Sequence, residues 1–273
     1  MDDESIKQGA KTVTTENFII ELFFRIDEEL KNVEKHPQAK MYPSEVVTIA
    51  FLFALKGVGN RAFYRWLKRD YQSIFPNLPE RTRLFRLFLS HQHLTAEFLA
   101  SPTLMGVIDA YGIELIHPVR EGRSPQQVGR KGLSNHRWIV GGKLCLILNQ
   151  DGLVVAWEAD TANVHDTTFH PLIEQFDEEM IILADSGFNA KAGNPKNLKL
   201  CRRGTWNVRM VIETLLSMLT LVNHFKRVGH RVWQYFKMRL AYTMAMFNVL
   251  ASWYGLQYDE NGVLHLSIAE FSL

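Results

Sequence analysis

The sequence predicts an α/β protein: a helical N-terminal domain, then a mixed sheet flanked by helices. Three observations lead to this class. Up to about residue 100, apolar residues recur at helical spacing. After Ser101-Pro102 they gather into short runs rich in β-formers. Beyond Trp206 the helical spacing returns in two long stretches. Strands interleaved with helices are the signature of a layered α/β arrangement.

The elements follow in order. Glu16–Glu34 carries Phe18, Ile19, Leu22, Phe23, Ile26 and Leu30 along one helical stripe. Pro43 and Ser44 open a second helix, Glu45–Lys56, since proline suits a first helical turn. Gly57-Val58-Gly59 ends it, and Asn60–Tyr71 follows at once as a third helix. Pro76–Pro79 breaks the chain before a fourth helix, Glu80–Leu89. A helix, a glycine turn and a basic helix with Arg61, Arg65, Lys68 and Arg69 resemble a helix-turn-helix. Any small helical bundle gives the same pattern.

Leu104–Ile108 is a short apolar strand ending in Asp109. Gly112–Arg137 is polar and basic and is expected to form a mobile loop. Ile139–Leu148 and Leu153–Glu158 form a hairpin about the turn Asn149-Gln150-Asp151-Gly152. Asp166–Phe176 is expected as a helix, Met180–Ala184 as a second short strand ending in Asp185. Trp206–Lys226 and Arg231–Tyr254 close the series as helices. These boundaries suggest domains at 1–100 and 101–257, with a tail at 258–273.

Composition excludes several classes. No apolar run approaches the roughly 18–20 residues needed to cross a bilayer, so no membrane partner is expected. Met1–Lys11 is acidic and polar, unlike a secretory signal. The only two cysteines, Cys145 and Cys201, make neither a disulfide framework nor a zinc spacing. A reduced, cytoplasmic setting fits. Gly141-Gly142 lacks the lysine and spacing of a phosphate loop, so no nucleotide cofactor is expected.

Net charge is only +2, but its distribution is uneven. Phe188–Leu240 holds eleven Lys and Arg, namely Lys191, Lys196, Lys199, Arg202, Arg203, Arg209, Lys226, Arg227, Arg231, Lys237 and Arg239, against one acid, Glu213. The first hundred residues hold 14 basic and 13 acidic side chains. A block so one-sided points to a polyanion, and Arg202, Arg203, Arg209, Lys226 and Arg227 are the candidate DNA contacts. A solvated basic face is the plainer alternative.

Three acids form a candidate constellation beside that block. Asp109 and Asp185 each end a buried strand, and ligands gather at the carboxyl ends of strands in α/β sheets. If the two strands are parallel neighbours, both carboxylates emerge together. Glu213 is the third member. Its helix is apolar on most faces, but Arg209, Glu213, Ser217, Thr220 and His224 fall along one stripe. Three clustered carboxylates repel one another unless a cation joins them. Mg²⁺ takes oxygen ligands from a few carboxylates, water and substrate phosphates. Two such ions can activate an attacking oxygen and stabilise a leaving one, and the natural substrate is a phosphodiester.

Four local patterns then carry a resemblance: Val107-Ile108-Asp109, Asn163-Val164-His165-Asp166, Leu183-Ala184-Asp185-Ser186-Gly187-Phe188, and Trp206 through Glu213. Over roughly Tyr42 to Tyr254 the chain resembles bacterial insertion-sequence transposases of the DDE type, whose catalytic domain has a ribonuclease-H-like fold. The last pattern is similar to the family's Tyr-x-x-Arg-x-x-x-Glu signature, with Trp206 in the tyrosine place. The resemblance implies that Asp109, Asp185 and Glu213 bind two Mg²⁺ ions, with Mn²⁺ as a substitute. Asp109 would bridge them, Asp185 and Glu213 holding one each. It implies that Arg209 contacts DNA near the cut end, with His165 and Asp166 in support. Element ends and target DNA would be the partners of a homodimer, in a bacterial, nucleoid-associated setting. Two features depart from the family: Thr220 stands where a lysine often follows, and Asp185 and Glu213 are only 28 residues apart. A nuclease that cuts without joining, and an inactive DNA-binding remnant, are the rival readings.

Overall fold

The computed structural model describes residues 14–134, 137–201, 214–219, 230–258 and 264–265. Four helices come first: α1 (Thr15–Glu29), α2 (Pro43–Lys56), α3 (Asn60–Asp70) and α4 (Arg81–His91), with a 3₁₀ turn at Gln92–Phe98. Their ends are set by local chemistry. Thr14 caps α1 by accepting from the Asn17 amide at 3.2 Å. Pro43 opens α2, and Glu45 reaches back to accept from the Tyr42 amide at 2.7 Å. Gly57 stops α2 in the left-handed conformation at φ 65°, where glycine carries no steric cost.

The sheet follows: β1 (Met105–Ile116), β2 (Arg130–Ser134), β3 (Arg137–Leu148), β4 (Val154–Thr161), the short helix α5 (His170–Glu174), β5 (Ile181–Ala184) and β6 (Leu198–Leu200). α6 (Trp233–Tyr254) then precedes β7 (Gln257–Tyr258) and β8 (Leu264–His265), which pair with each other. β3 lies antiparallel to β1, β2 and β4. Its first half meets β2 and its second half meets β4 along the same edge. β5 and β6 run parallel to β1 on the other side. The result is a mixed six-stranded sheet preceded by helices, the α/β architecture expected of a ribonuclease-H-like domain.

Each face of the sheet has its own core. Val107, Ile113, Leu144, Leu146 and Leu148 face a large cluster shared with α1, α2, α4 and α6. α2 is buried all round from Val46 to Leu55, and α6 nearly so from Phe236 to Ala251. Two buried polar groups join the layers. Asn248 on α6 donates to the carbonyls of Phe98 and Val154 at 3.0 and 2.8 Å and accepts from the Val154 amide at 2.8 Å. Tyr242 donates to the Phe88 carbonyl on α4 at 2.8 Å. On the other face Ile108, Cys145 and Ile147 pack on Phe169, Ile173 and Phe188.

Three expectations change. β1 does not end at Ile108 but continues to Ile116, because Tyr111, Ile113 and Leu115 keep the alternation and β3 pairs along the whole length. The expected loop Gly112–Arg137 therefore includes the end of β1, and β2 as well. Glycine makes this possible: a Cβ on Gly141 would lie 1.9 Å from the Ile113 carbonyl oxygen, and one on Gly132 at the same distance from that of Ala162. Asp166–Phe176 is a 3₁₀ turn (Asp166–Phe169) followed by α5, not one helix. Of the helix expected at Trp206–Lys226, residues 214–219 are described and are helical. Among the described residues no single helix is long and apolar enough to cross a membrane.

Candidate active site

Asp109 lies within β1, and what ends at its level is β5. The parallel ladder pairs Met105 with Ile181, Gly106 with Ile182 and Val107 with Leu183. Asp109 thus lies two residues beyond the last ladder pair on β1, and Asp185 directly follows β5. Asp109 belongs to the odd-numbered series with Val107 and Ile113, which faces the larger core. Asp109 is half-buried and Asp185 exposed.

Local hydrogen bonds orient both. The Ala110 amide donates to Asp109 Oδ1 at 2.7 Å. The Gly187 amide donates to Asp185 Oδ1 at 2.8 Å, so that Asp185 caps the 3₁₀ turn Ser186–Phe188. His170 Nε2 lies 2.7 Å from the Phe188 carbonyl oxygen and holds that turn from α5.

Asp166 lies beside Asp185. A Cβ on Gly187 would lie 2.7 Å from Asp166 Oδ2 and 2.9 Å from Asp185 Oδ1. Both oxygens therefore crowd one point, and any side chain at 187 would push into two carboxylates. Lys143 offsets this local negative charge: its Nζ donates to Asp166 Oδ1 at 2.8 Å and to the Val164 carbonyl at 2.7 Å, with the side chain only 14% exposed. Cys145, two residues on, is fully buried. Burial, then the charges of Asp166 and Asp109, push its thiol well above the ordinary range. It is packing, as its strand pattern suggests.

The structure brings Asp166 and Asp185 together, and it sets Asp109 on β1, the strand beside β5. His165 immediately precedes Asp166. That ring is exposed and accepts from the Thr167 amide at 3.4 Å, capping the turn it precedes. Glu213, Arg209, Arg202, Arg203, Lys226 and Arg227 lie outside the described residues. Among the described residues no group of three or more acidic, histidine or cysteine side chains is placed to hold a metal ion by itself. The basic block is not uniform. Lys191, Lys196 and Lys199 are exposed beside β5 and β6, Lys237 pairs with Glu158 at 2.7 Å, and Arg239 is buried.

Sequence reasoning missed Lys143 and Gly187 as parts of this site. A signal for Lys143 existed: it is the one charge inside the apolar run Ile139–Leu148.

The profile of the transposase DDE domain matches residues 103–242, half of the chain. The chain belongs to that family. The matched segment starts before β1 and runs into α6, so the DDE domain contains Asp109, Asp166, Asp185 and Glu213. The helices α1–α4 precede it. No curated protein and no solved structure matches the chain.

Proposed function

We propose that this DDE-family chain is an active transposase that cleaves element ends and joins them to target DNA. The observation that supports the reading is the parallel pairing of β1 with β5, which makes neighbours of the two strands that carry Asp109 and lead into Asp185. Glu213 is proposed as the third carboxylate. In its support, Leu215 and Leu219 pack into the core on the face where Asp109 emerges, while Ser217, one helical turn beyond Glu213, is exposed.

An all-oxygen donor set at an open, hydrated position suits a hard divalent cation. Two Mg²⁺ ions, or Mn²⁺, held by Asp109, Asp185 and Glu213 would supply activation of the attacking oxygen and stabilisation of the leaving oxygen. The chain's own residues do the rest. The β5 terminus and the Ser186–Phe188 turn fix Asp185. Lys143 holds Asp166 away from a second role as a free charge, and Gly187 leaves room between the carboxylates. Arg209, Arg202, Arg203, Lys226 and Arg227 hold the DNA backbone, joined by the exposed Lys191, Lys196 and Lys199.

α2, the glycine turn and α3 are proposed as the end-recognition unit. The two helices meet at 119°, and Arg61, Arg65 and Lys68 are exposed on α3. The region 1–100 would serve recognition and 101–257 catalysis, with 258–273 as a tail. Joining two ends calls for a homodimer on DNA.

The test is Mg²⁺-dependent cleavage and joining of DNA carrying the gene's own flanking ends, with Asp185→Asn for comparison. Cutting and joining by the wild type, with binding alone by the variant, is the expected result. Cutting without joining makes the protein a nuclease on the same fold. Binding with neither step makes it an inactive remnant.

A further inference from the structure

A second charged place in the molecule is unrelated to the carboxylates. Arg239 on α6 is only 4% exposed. Its guanidinium lies 4.9 Å over the Phe53 ring, but it makes no hydrogen bond or ion pair with any described residue. Burial lowers its pKa to about 10. An arginine buried without a counter-charge is costly, since desolvation is not repaid by a partner. Beside it His230 is 8% exposed, and its Nε2 has no hydrogen-bond partner. Burial, then the charge of Arg239, lowers the His230 pKa to about 4, so the ring is neutral near pH 7. A neutral imidazole with its hydrogen on Nε2 is a donor awaiting an acceptor.

Both side chains line a cleft of about 400 Å³ whose other wall is the Gly57–Gly59 turn and Asn60. That wall is the N-terminus of α3, an eleven-residue helix. Gly59 is its N-cap and makes no side-chain cap, and no acid lies in the first turn. The first helical bond is from the Phe63 amide to the Gly59 carbonyl, so the amides before Phe63 have no partner within the helix. Arg231 stands exposed at the rim, and among the described residues no carboxylate lines the cleft.

We propose that this cleft binds a tetrahedral oxyanion, a phosphate group, between the N-terminus of α3 and the buried Arg239 and His230. Guanidinium, imidazole N–H and helix amides approach from different walls, which suits an anion with more acceptor oxygens than a carboxylate. The phosphate has two sources, a backbone phosphate of DNA or a free phosphate ion. The site goes beyond the proposed reaction, because it uses none of the carboxylates and stands whether or not the protein cuts DNA.

Two variants test it. Arg239→Met removes the buried charge. Gly59→Asp places a carboxylate at the N-cap, where a Cβ meets nothing within 4 Å and the backbone, at φ −73°, accepts any residue. Aspartate is a favoured cap, so this variant folds while occupying the site from within. Gly59→Ala is the control. The melting temperature of the full chain is measured in phosphate and in chloride at equal ionic strength. A rise of several degrees in phosphate is expected for the wild type and Gly59→Ala, and no rise for Gly59→Asp or Arg239→Met. Equal melting of the wild type in the two salts, or the same rise in Gly59→Asp, overturns the proposal. Binding of a DNA duplex across a salt series identifies the source. A salt slope shallower by about one in Gly59→Asp makes the source a DNA phosphate. An unchanged slope, with the phosphate effect on melting intact in the wild type, makes it the free ion.

Discussion

The carboxyl end of β5 and the cleft beside α3 are opposite in sign and opposite in construction. Asp166 and Asp185 stand where β5 stops and Asp109 stands within β1, all half-buried or exposed, and Lys143 already offsets the charge of Asp166. Arg239 is buried on the middle of a core helix, and no described acid pairs with it. The first arrangement costs the fold little, because water still reaches the charges. The second costs the fold something, because water does not. Each site's chemistry is therefore separable from its stability in a different direction. Neutralising an aspartate should remove activity and leave the fold intact. Neutralising Arg239 should spare the fold, or even help it, while removing an anion.

The largest expected effect is at the acidic site. Asp109→Asn or Asp185→Asn should lower cleavage by about a thousandfold, since a metal ligand supplies several kcal/mol to the transition state. The thermal melting of these variants should stay within a few degrees of the wild type, as both side chains are at least partly hydrated. A variant that melts much lower would place its aspartate in the fold, not in the chemistry.

Next comes pH. The His230 pKa falls from about 6.5 in the unfolded chain to about 4 in the folded one. Between these values the unfolded chain binds more protons, so this stabilisation is complete above pH 6.5 and is lost as pH falls towards 4. A shift of that size corresponds to about 3 kcal/mol. Urea midpoints of the wild type should decline across this window more steeply than those of His230→Asn. Added phosphate should flatten the wild-type decline, because an anion beside His230 favours its charged form.

Lys143→Met should cost about 10–100-fold in activity, the usual effect of removing a group that orients a site carboxylate. Its readout is steady-state cleavage at saturating Mg²⁺, and a loss no greater than twofold would detach Asp166 from the site. The smallest effect is at Arg239. In the absence of phosphate, Arg239→Met should raise unfolding stability by about 1 kcal/mol, because a buried charge that no described acid pairs with gives way to an apolar chain of similar length. Equilibrium urea unfolding measures this, and a clear loss would mean that the contact with Phe53 outweighs desolvation.

How much of this was legible in the sequence differs between the two sites. The helices α2–α4 and the run closed by Asp185 could be read because short-range patterns define them: proline starts, glycine stops and an apolar run closed by an acid. The end of β1 could not, because Gly112 and Glu114 interrupt its composition while pairing with β3 sustains it. β2 and β6 were missed for the same reason, as strands of three to five residues exist only through their partners. Asp109 and Asp185 stand out in the sequence as candidates, but Gly187 and Lys143 show only through their contacts with Asp166 and Asp185. The basic cleft was not legible at all. Gly59 and Arg239 are 180 residues apart, and Arg239 reads in the sequence as one more member of a basic surface block.

The central claim is that Asp109, Asp185 and Glu213 share bound metal. Iron-directed cleavage of the polypeptide tests it most directly, since Fe²⁺ in place of Mg²⁺ generates radicals that cut the backbone beside its ligands. The account predicts cuts near residues 109, 185 and 213, competed away by Mg²⁺ and absent in Asp185→Asn. Cuts at 109 and 185 without 213, or a pattern unchanged in Asp185→Asn, would contradict it.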